Sequence, residues 1–258
     1  MKAIIDGFYH NHNQVAAYRI INELNLESCL MTYSTVTKSF LTYSKEDFVK
    51  KNVTFINFEK ISLGDFPTDI PDLIPLDELL LNRMNDCEVV ALKMIERLNP
   101  MIVESYDFRK NLYLKILRFW NDFLEKNKID FYLNIEIPHE PYNFILYSLC
   151  KVKGIKTFNL APVAAIDDTL QIMTDWKENC PELKTTFDQL KREGKPVELN
   201  EKFANHLKMQ LEKDELPFYM ADNLKNRNRE KTLKFKVDKI VKKLDNLKKI
   251  QKNLKIFY

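Results

Sequence analysis

Short runs of apolar and β-branched residues alternate with longer segments of helical periodicity, and this alternation restricts the fold more than any other feature of the sequence. Apolar residues that repeat every two positions indicate strands, whereas a spacing of three and four indicates helices. Strands that alternate with helices form a parallel sheet that the helices cover on both faces. We therefore predict an α/β fold with a Rossmann-like parallel sheet.

The pattern sets provisional bounds for each element. Strands are predicted at residues 2–8, 28–34, 52–58, 130–137 and 156–160, with another extended segment at 169–176. Helices are predicted at residues 11–25, 76–98, 105–127, 141–153, 182–193 and 200–214, and a loop with several prolines at 61–75. The strands define a first domain at residues 1–180, and residues 181–258 are predicted to be a helical extension.

The extension is predicted to end in one long basic helix at residues 223–257. Residues 225–258 contain 13 Lys or Arg and 3 Asp or Glu, a net charge of +10, whereas residues 1–224 contain 27 and 34, a net charge of −7. Such a helix either contacts an anionic membrane surface or nucleic acid, or packs its apolar stripe on the protein or a partner. The scarcity of aromatic residues among the lysines favours packing and disfavours nucleic acid.

Missing motifs exclude several kinds of site. The chain has only four glycines and lacks G-x-G-x-x-G, the P-loop, the nucleophile elbow, H-E-x-x-H and D-x-D. We therefore expect neither a bound metal nor a cofactor. The four cysteines lack zinc-ligand spacing, and three lie among apolar residues, as reduced core thiols do. No signal peptide and no apolar run of ~20 residues is present, which predicts a cytoplasmic location.

The best positive signal is Pro138-His139-Glu140, which follows the most apolar predicted strand and precedes a helix opening at Pro141. This position places His139 beside the unpaired backbone N–H groups of a helix amino terminus, which can receive a phosphate or a sugar hydroxyl. An imidazole titrates near neutral pH, so His139 is a candidate general acid or base, with Glu140 beside it. In the alternative interpretation, His139 or Glu140 only caps the helix.

Seven further residues are candidates for substrate binding because they lie near predicted carboxyl ends of strands, where α/β sheets bind ligands. They are Asp6, His10, His12, Glu136, Tyr142, Asn143 and Asp167. For the histidines the alternative is a solvated loop, and for Asp167 a turn. Glu136 lies inside an apolar strand, where an unpaired carboxylate is costly; it either points into a cleft or, with Asn134, marks a less buried face.

Residues 76–176 resemble a known family. The string contains Pro75-Leu76-Asp77-Glu78, Glu88 to Arg97, Ile137-Pro138-His139-Glu140 and Gly154-Ile155-Lys156-Thr157 in that order. It is similar to the amino-terminal half of bacterial surface or capsular polysaccharide biosynthesis proteins, which resemble two-domain (GT-B type) glycosyltransferases. The resemblance covers roughly half of the chain, and Pro138-His139-Glu140 is its one sharp motif.

The resemblance implies two Rossmann-like domains that face a cleft. The first holds a glycan or lipid-linked glycan acceptor, with His139 and Glu140 at the cleft, and the second holds a nucleotide-sugar donor. The chain ends at Tyr258, where the second domain is expected. The resemblance therefore implies either a shortened chain or a short form that needs a second domain or partner chain. Contact of the basic helix with anionic lipid would place the chain at the inner face of the membrane.

Two other interpretations stay open. One is a non-catalytic binding or scaffold protein that is recruited through its basic carboxyl-terminal helix. The other is a small-molecule enzyme with a flavodoxin-like sheet, although Asp6-Gly7-Phe8-Tyr9-His10 is a poor phosphate loop.

Overall fold

The computed structural model describes residues 1–8, 11–34, 48, 51–67, 72–98, 105–162, 170–177, 181–194 and 198–212. The chain divides into two compact units, Met1–Val197 and Glu198–Tyr258. In the second unit the structure describes one helix, Glu201–Glu212. The predicted basic helix at residues 223–257 lies outside the described residues.

The first unit contains a six-stranded sheet. Its strands are β1 (Lys2–Asp6), β2 (Ser28–Tyr33), β3 (Val53–Asn57), β4 (Phe131–Asn134), β5 (Lys156–Pro162) and β6 (Leu170–Met173). They are arranged in the order β3-β2-β1-β4-β5-β6. The prediction of an α/β fold with a largely parallel sheet is confirmed.

The sixth strand departs from the parallel arrangement. Strands β1 to β5 pair in parallel, whereas β6 pairs with β5 antiparallel, with Asn159 opposite Met173. A parallel crossover needs about a dozen residues or more, and only residues 163–169 separate β5 from β6. The short connection therefore requires an antiparallel return.

Seven helices are described in the first unit. They are α1 (Asn11–Glu23), α2 (Phe58–Ser62), α3 (Glu78–Arg83), α4 (Asn85–Leu98), α5 (Tyr106–Asn127), α6 (Pro141–Lys153) and α7 (Pro181–Glu193); the helix of the second unit is α8 (Glu201–Glu212). None of the helices in the described segments is long and apolar enough to cross a membrane.

Two predicted boundaries are wrong in ways that local caps explain. The single helix predicted at 76–98 is two helices, because α3 ends at Met84, where the backbone leaves helical geometry (φ −95°, ψ 7°). The loop predicted at 61–75 begins later, because the Asn57 side chain accepts a hydrogen bond from the Lys60 N–H (2.8 Å) and starts α2.

Alternate residues of the strands build two cores. Ile4, Leu30 and Tyr132 face a core that α3 to α6 complete, whereas Ile5 and Met31 face a core that includes residues of α1. This alternation follows from the two-residue period of a strand. Cys29, Cys87 and Cys150 are buried and unpaired, as predicted, and burial raises the pKa of the Cys29 thiol to about 12.

Candidate functional site

The order of the strands reverses next to β1. From β1 the chain builds β2 and β3 on one side, and it places β4 and β5 on the other. Asp6, the last residue of β1, lies opposite Asn134, the last residue of β4. In open α/β sheets, ligands bind outside the carboxyl ends of strands at such a reversal. This edge is therefore the candidate site.

A row of buried polar side chains crosses the sheet at this edge. Asp6, Asn134 and Asn159 occupy equivalent positions of β1, β4 and β5. Thr32 continues the row on β2, since its hydroxyl donates to Asp6. Side chains in register on parallel strands point to the same face. All four are at most 1% exposed, although burial of polar groups is costly unless they are hydrogen-bonded. We call these four residues the polar row.

Asp6 satisfies that requirement with three hydroxyl donors. Its carboxylate accepts hydrogen bonds from Thr32, from the Tyr132 hydroxyl (2.8 Å) and from the Tyr142 hydroxyl (2.9 Å). Complete burial raises the pKa of Asp6, and these hydrogen bonds act in the opposite direction. Burial and the neighbouring Asp6 carboxylate likewise raise the pKa of Tyr132. The Asp6 side chain thus ties β1 to β2, β4 and α6.

Gly7 lets the chain leave β1 close to β4. Its φ is +82°, and a Cβ at this position would lie 2.7 Å from Cγ2 of Ile135 and 3.3 Å from Oδ1 of Asn134. Both the left-handed backbone and the close approach require glycine.

Gly7→Ala is therefore expected to lower the free energy of unfolding by about 2–4 kcal/mol, measured by urea denaturation. Gly154→Ala is the matched control, because Gly154 has a similar φ of +72° with no atom within 4 Å of the added Cβ. An equal loss for both variants would show that the contact with Ile135 has no energetic effect.

Two members of the polar row have polar atoms without partners. Nδ2 of Asn134 and both Oδ1 and Nδ2 of Asn159 are buried, and no hydrogen bond reaches them within the described part of the chain. The remaining amide atom, Oδ1 of Asn134, accepts from the Glu136 N–H (3.2 Å). Each unpaired buried polar group costs about 1–3 kcal/mol, so these three atoms have hydrogen-bonding capacity that the described residues do not use.

Strand β4 is shorter than predicted, and this changes the interpretation of Asn134 and Glu136. The strand ends at Asn134 instead of residue 137. Asn134 is buried, so the suggestion that it marks a less buried face is wrong. Glu136 lies beyond the strand, and its side chain is 45% exposed. Its carboxylate therefore stays hydrated and does not destabilise the fold, as a buried unpaired carboxylate would.

His139 lies on the rim of this edge with its side chain 51% exposed. Nδ1 is 2.9 Å from the carbonyl oxygen of Ile137. A carbonyl only accepts hydrogen bonds, so the neutral ring carries its proton on Nδ1 and has its lone pair on Nε2. Carboxylate oxygens of Glu136 and Glu140 lie 3.6 Å from Nδ1 and 3.8 Å from Nε2. The ring therefore presents Nε2 on the exposed rim, with two carboxylates nearby.

The segment that carries His139 is fixed at both sides. The Arg97 guanidinium donates to the His139 carbonyl oxygen (2.9 Å). Glu140 is the N-cap of α6, and its backbone N–H donates to Oδ1 of Asn143 (3.0 Å) in a capping box. Pro141 begins α6, and Gly154 ends it with φ +72°, as predicted.

The other candidate residues are placed as follows. Tyr142 is buried, donates to Asp6 and stacks on Phe58 with ring centroids 5.2 Å apart. Asn143 is buried in the capping box. His12 lies in α1, and its side chain is not described, while His10 and Asp167 lie outside the described residues. The candidates form two sets of contacts: Asp6 with Tyr142, and His139 with Glu136 and Glu140, the last of which is bonded to Asn143.

The sequence interpretation missed Thr32, Tyr132 and Asn159. A signal exists for Thr32 and Asn159, because each is a polar residue within an otherwise apolar part of its strand, SCLMTY or KTFNLAP; Tyr132 has no such signal. Among the described residues no group of three His, Cys, Asp or Glu side chains is placed to hold a metal ion.

Comparison with protein-family models, curated proteins and solved structures finds no match to this chain. The assignment of the site therefore depends on its geometry.

Proposed function

We propose that this chain is the acceptor-side, Rossmann-like domain of a metal-independent glycosyltransferase of surface polysaccharide synthesis. The observation that carries the proposal is the exposed His139 ring, which lies just beyond β4 at the reversal of strand order, with its Nε2 lone pair available. The order of the first five strands, β3-β2-β1-β4-β5, matches five strands of the doubly wound Rossmann sheet, which agrees with the Rossmann-like description.

The proposed reaction transfers a sugar from a nucleotide-sugar donor to a glycan acceptor. Nε2 of His139 removes the proton from an acceptor hydroxyl as that oxygen bonds to the anomeric carbon of the donor sugar. The bond between the anomeric carbon and the phosphate oxygen breaks, and the nucleotide leaves with the bonding electron pair. The proton stays on His139, beside the carboxylates of Glu136 and Glu140. A second domain or a partner chain supplies the donor site.

A non-catalytic binding domain is the second candidate. The observation in its favour is that Asp6, Tyr142 and Asn143 use their side chains to hold the fold together. In this candidate, His139 and Glu136 contact a ligand without transferring a proton.

Binding and transfer assays separate the two candidates. The ¹H–¹³C resonance of the His139 ring is followed by NMR while glycan acceptors are added to the full chain, and His139→Ala identifies the resonance. We expect acceptors to shift this resonance, and we expect a nucleotide sugar to be consumed when acceptor, donor and any partner chain are present. Shifts without transfer support the binding domain. Glycans that leave the resonance unchanged contradict both candidates.

A further inference from the structure

We infer that the side-chain amides of Asn134 and Asn159 form a subsite for neutral sugar hydroxyls. The inference deepens the proposed function and depends on it, since it names the part of the acceptor that the polar row recognises. The two residues lie directly opposite each other on β4 and β5 at the candidate edge.

The unused hydrogen-bonding capacity defines the ligand. Nδ2 of Asn134 and Nδ2 of Asn159 offer N–H donors, and Oδ1 of Asn159 offers an acceptor, all without partners among the described residues. A hydroxyl group can accept from an amide N–H and donate to an amide oxygen at the same time. Two neighbouring hydroxyls of one sugar ring therefore match the pair, whereas a purely accepting group leaves Oδ1 of Asn159 unpaired.

The charge along the polar row disfavours ions. Asp6 lies opposite Asn134. It is the one ionisable member of the polar row, and the row contains no cationic side chain. An anionic phosphate or carboxylate would meet the Asp6 carboxylate in a buried setting, where charge repulsion is strong. A cation would meet the N–H groups of both amides. A neutral polyol encounters neither problem.

The two strands end at different points along the sheet. Strand β4 ends at Asn134, whereas β5 continues from Asn159 to Pro162 and pairs there with β6. At its carboxyl end, β4 is thus shorter than the neighbouring β5, which extends further and pairs with β6. We call this difference in strand length a step. Both amides are closed to solvent in the unliganded protein, so binding requires a local opening at this step and association slower than diffusion.

Asn159→Leu in the full chain tests the subsite. Leucine has the same branched arrangement of side-chain heavy atoms as asparagine and removes two unpaired polar atoms, so we expect a Tm equal to or above that of the native chain. Binding of methyl glycosides of glucose, galactose, mannose and N-acetylglucosamine, measured by saturation-transfer NMR at millimolar concentration, is expected to weaken at least about tenfold. Deoxygenated methyl glycosides are expected to identify which hydroxyls the native chain contacts.

Thr157→Val is the matched control. Thr157 precedes Asn159 by two residues on the same strand, but its hydroxyl already donates to the Thr174 carbonyl oxygen (2.7 Å). We expect Thr157→Val to lower the Tm and to leave glycoside binding within about twofold of the native value.

Three outcomes overturn the inference. Equal glycoside affinity for Asn159→Leu and the native chain would reject the subsite and leave the proposed function standing. If Asn159→Leu lowers the Tm as much as Thr157→Val does, the Asn159 amide already has a hydrogen-bond partner, such as a buried water. A native chain that binds none of the glycosides, with an unshifted His139 resonance, would reject the proposed function together with the subsite.

Discussion

Asp6→Ala is expected to lower the free energy of unfolding by about 3–5 kcal/mol, the largest stability loss predicted for a single side chain of the site. The substitution removes the acceptor of three hydroxyl groups, those of Thr32, Tyr132 and Tyr142, and leaves these donors in the interior. Urea denaturation followed by circular dichroism measures the loss. The slope of the transition is expected to stay unchanged if only stability is affected.

Asp65→Ala is the control for Asp6→Ala. The Asp65 side chain is 64% exposed and pairs with Lys60 at 3.4 Å, and such surface pairs contribute less than about 1 kcal/mol. A loss for Asp6→Ala no larger than that for Asp65→Ala would contradict the role of the buried carboxylate.

The raised pKa of Asp6 gives this prediction a dependence on pH. Burial makes the folded state hold the Asp6 proton more tightly than the unfolded state does. Folding is therefore accompanied by proton uptake at pH values between the ordinary pKa of the unfolded chain and the raised pKa of the folded protein. The contribution of Asp6 to stability is therefore greatest at pH values below the ordinary pKa of an Asp carboxyl. It falls as the pH rises through the raised pKa of Asp6 in the folded state. Asp6→Asn cannot ionise, so its stability deficit relative to the native chain is expected to shrink as pH rises. A deficit that grows with pH would contradict the raised pKa.

His139→Ala is expected to reduce kcat for sugar transfer by about 10²–10⁴-fold, with a much smaller change in KM for the acceptor. The reason is that Nε2 of His139 accepts the acceptor proton in the transition state, whereas binding of the acceptor uses other groups. Steady-state kinetics measure both effects.

His206→Ala is the control for His139→Ala. His206 belongs to α8, and its replacement removes one imidazole from the chain while His139 and its neighbours are kept. We expect native kinetics for this variant. A His139→Ala protein that retains native kcat would reject the catalytic role of His139 and favour the binding domain.

The sequence was sufficient for the class of fold because hydrophobic periodicity is a local property. It placed β1 to β5 and the capped helix α6 within a few residues of their observed ends. It did not give the direction of β6, since the length of a connection decides direction only when both strands are known to be neighbours. It also did not divide the helix predicted at 76–98, because the break at Met84 has no glycine or proline to mark it.

The candidate site was predictable in position but not in detail. The motif Pro138-His139-Glu140 directed attention to the correct end of β4, and Asp6 was recognised as an edge residue. The hydrogen bonds to Asp6 were not predicted: Tyr132 was missed, and Tyr142 was named only as a substrate-binding candidate, because the hydroxyl positions of such core residues depend on tertiary packing. Asn134 and Asn159 become neighbours only through strand pairing, which no local pattern reveals.

The location of β1 has a consequence for synthesis of the chain on the ribosome. Two of the three hydroxyl partners of Asp6 come from residues 126 and 136 positions further along the sequence. A nascent chain that has emerged only as far as β3 therefore carries the Asp6 carboxylate without those partners and has one side of β1 open. Such a long separation between contacting residues slows folding, so we expect the nascent amino-terminal half to need protection by chaperones until β4 and α6 have emerged.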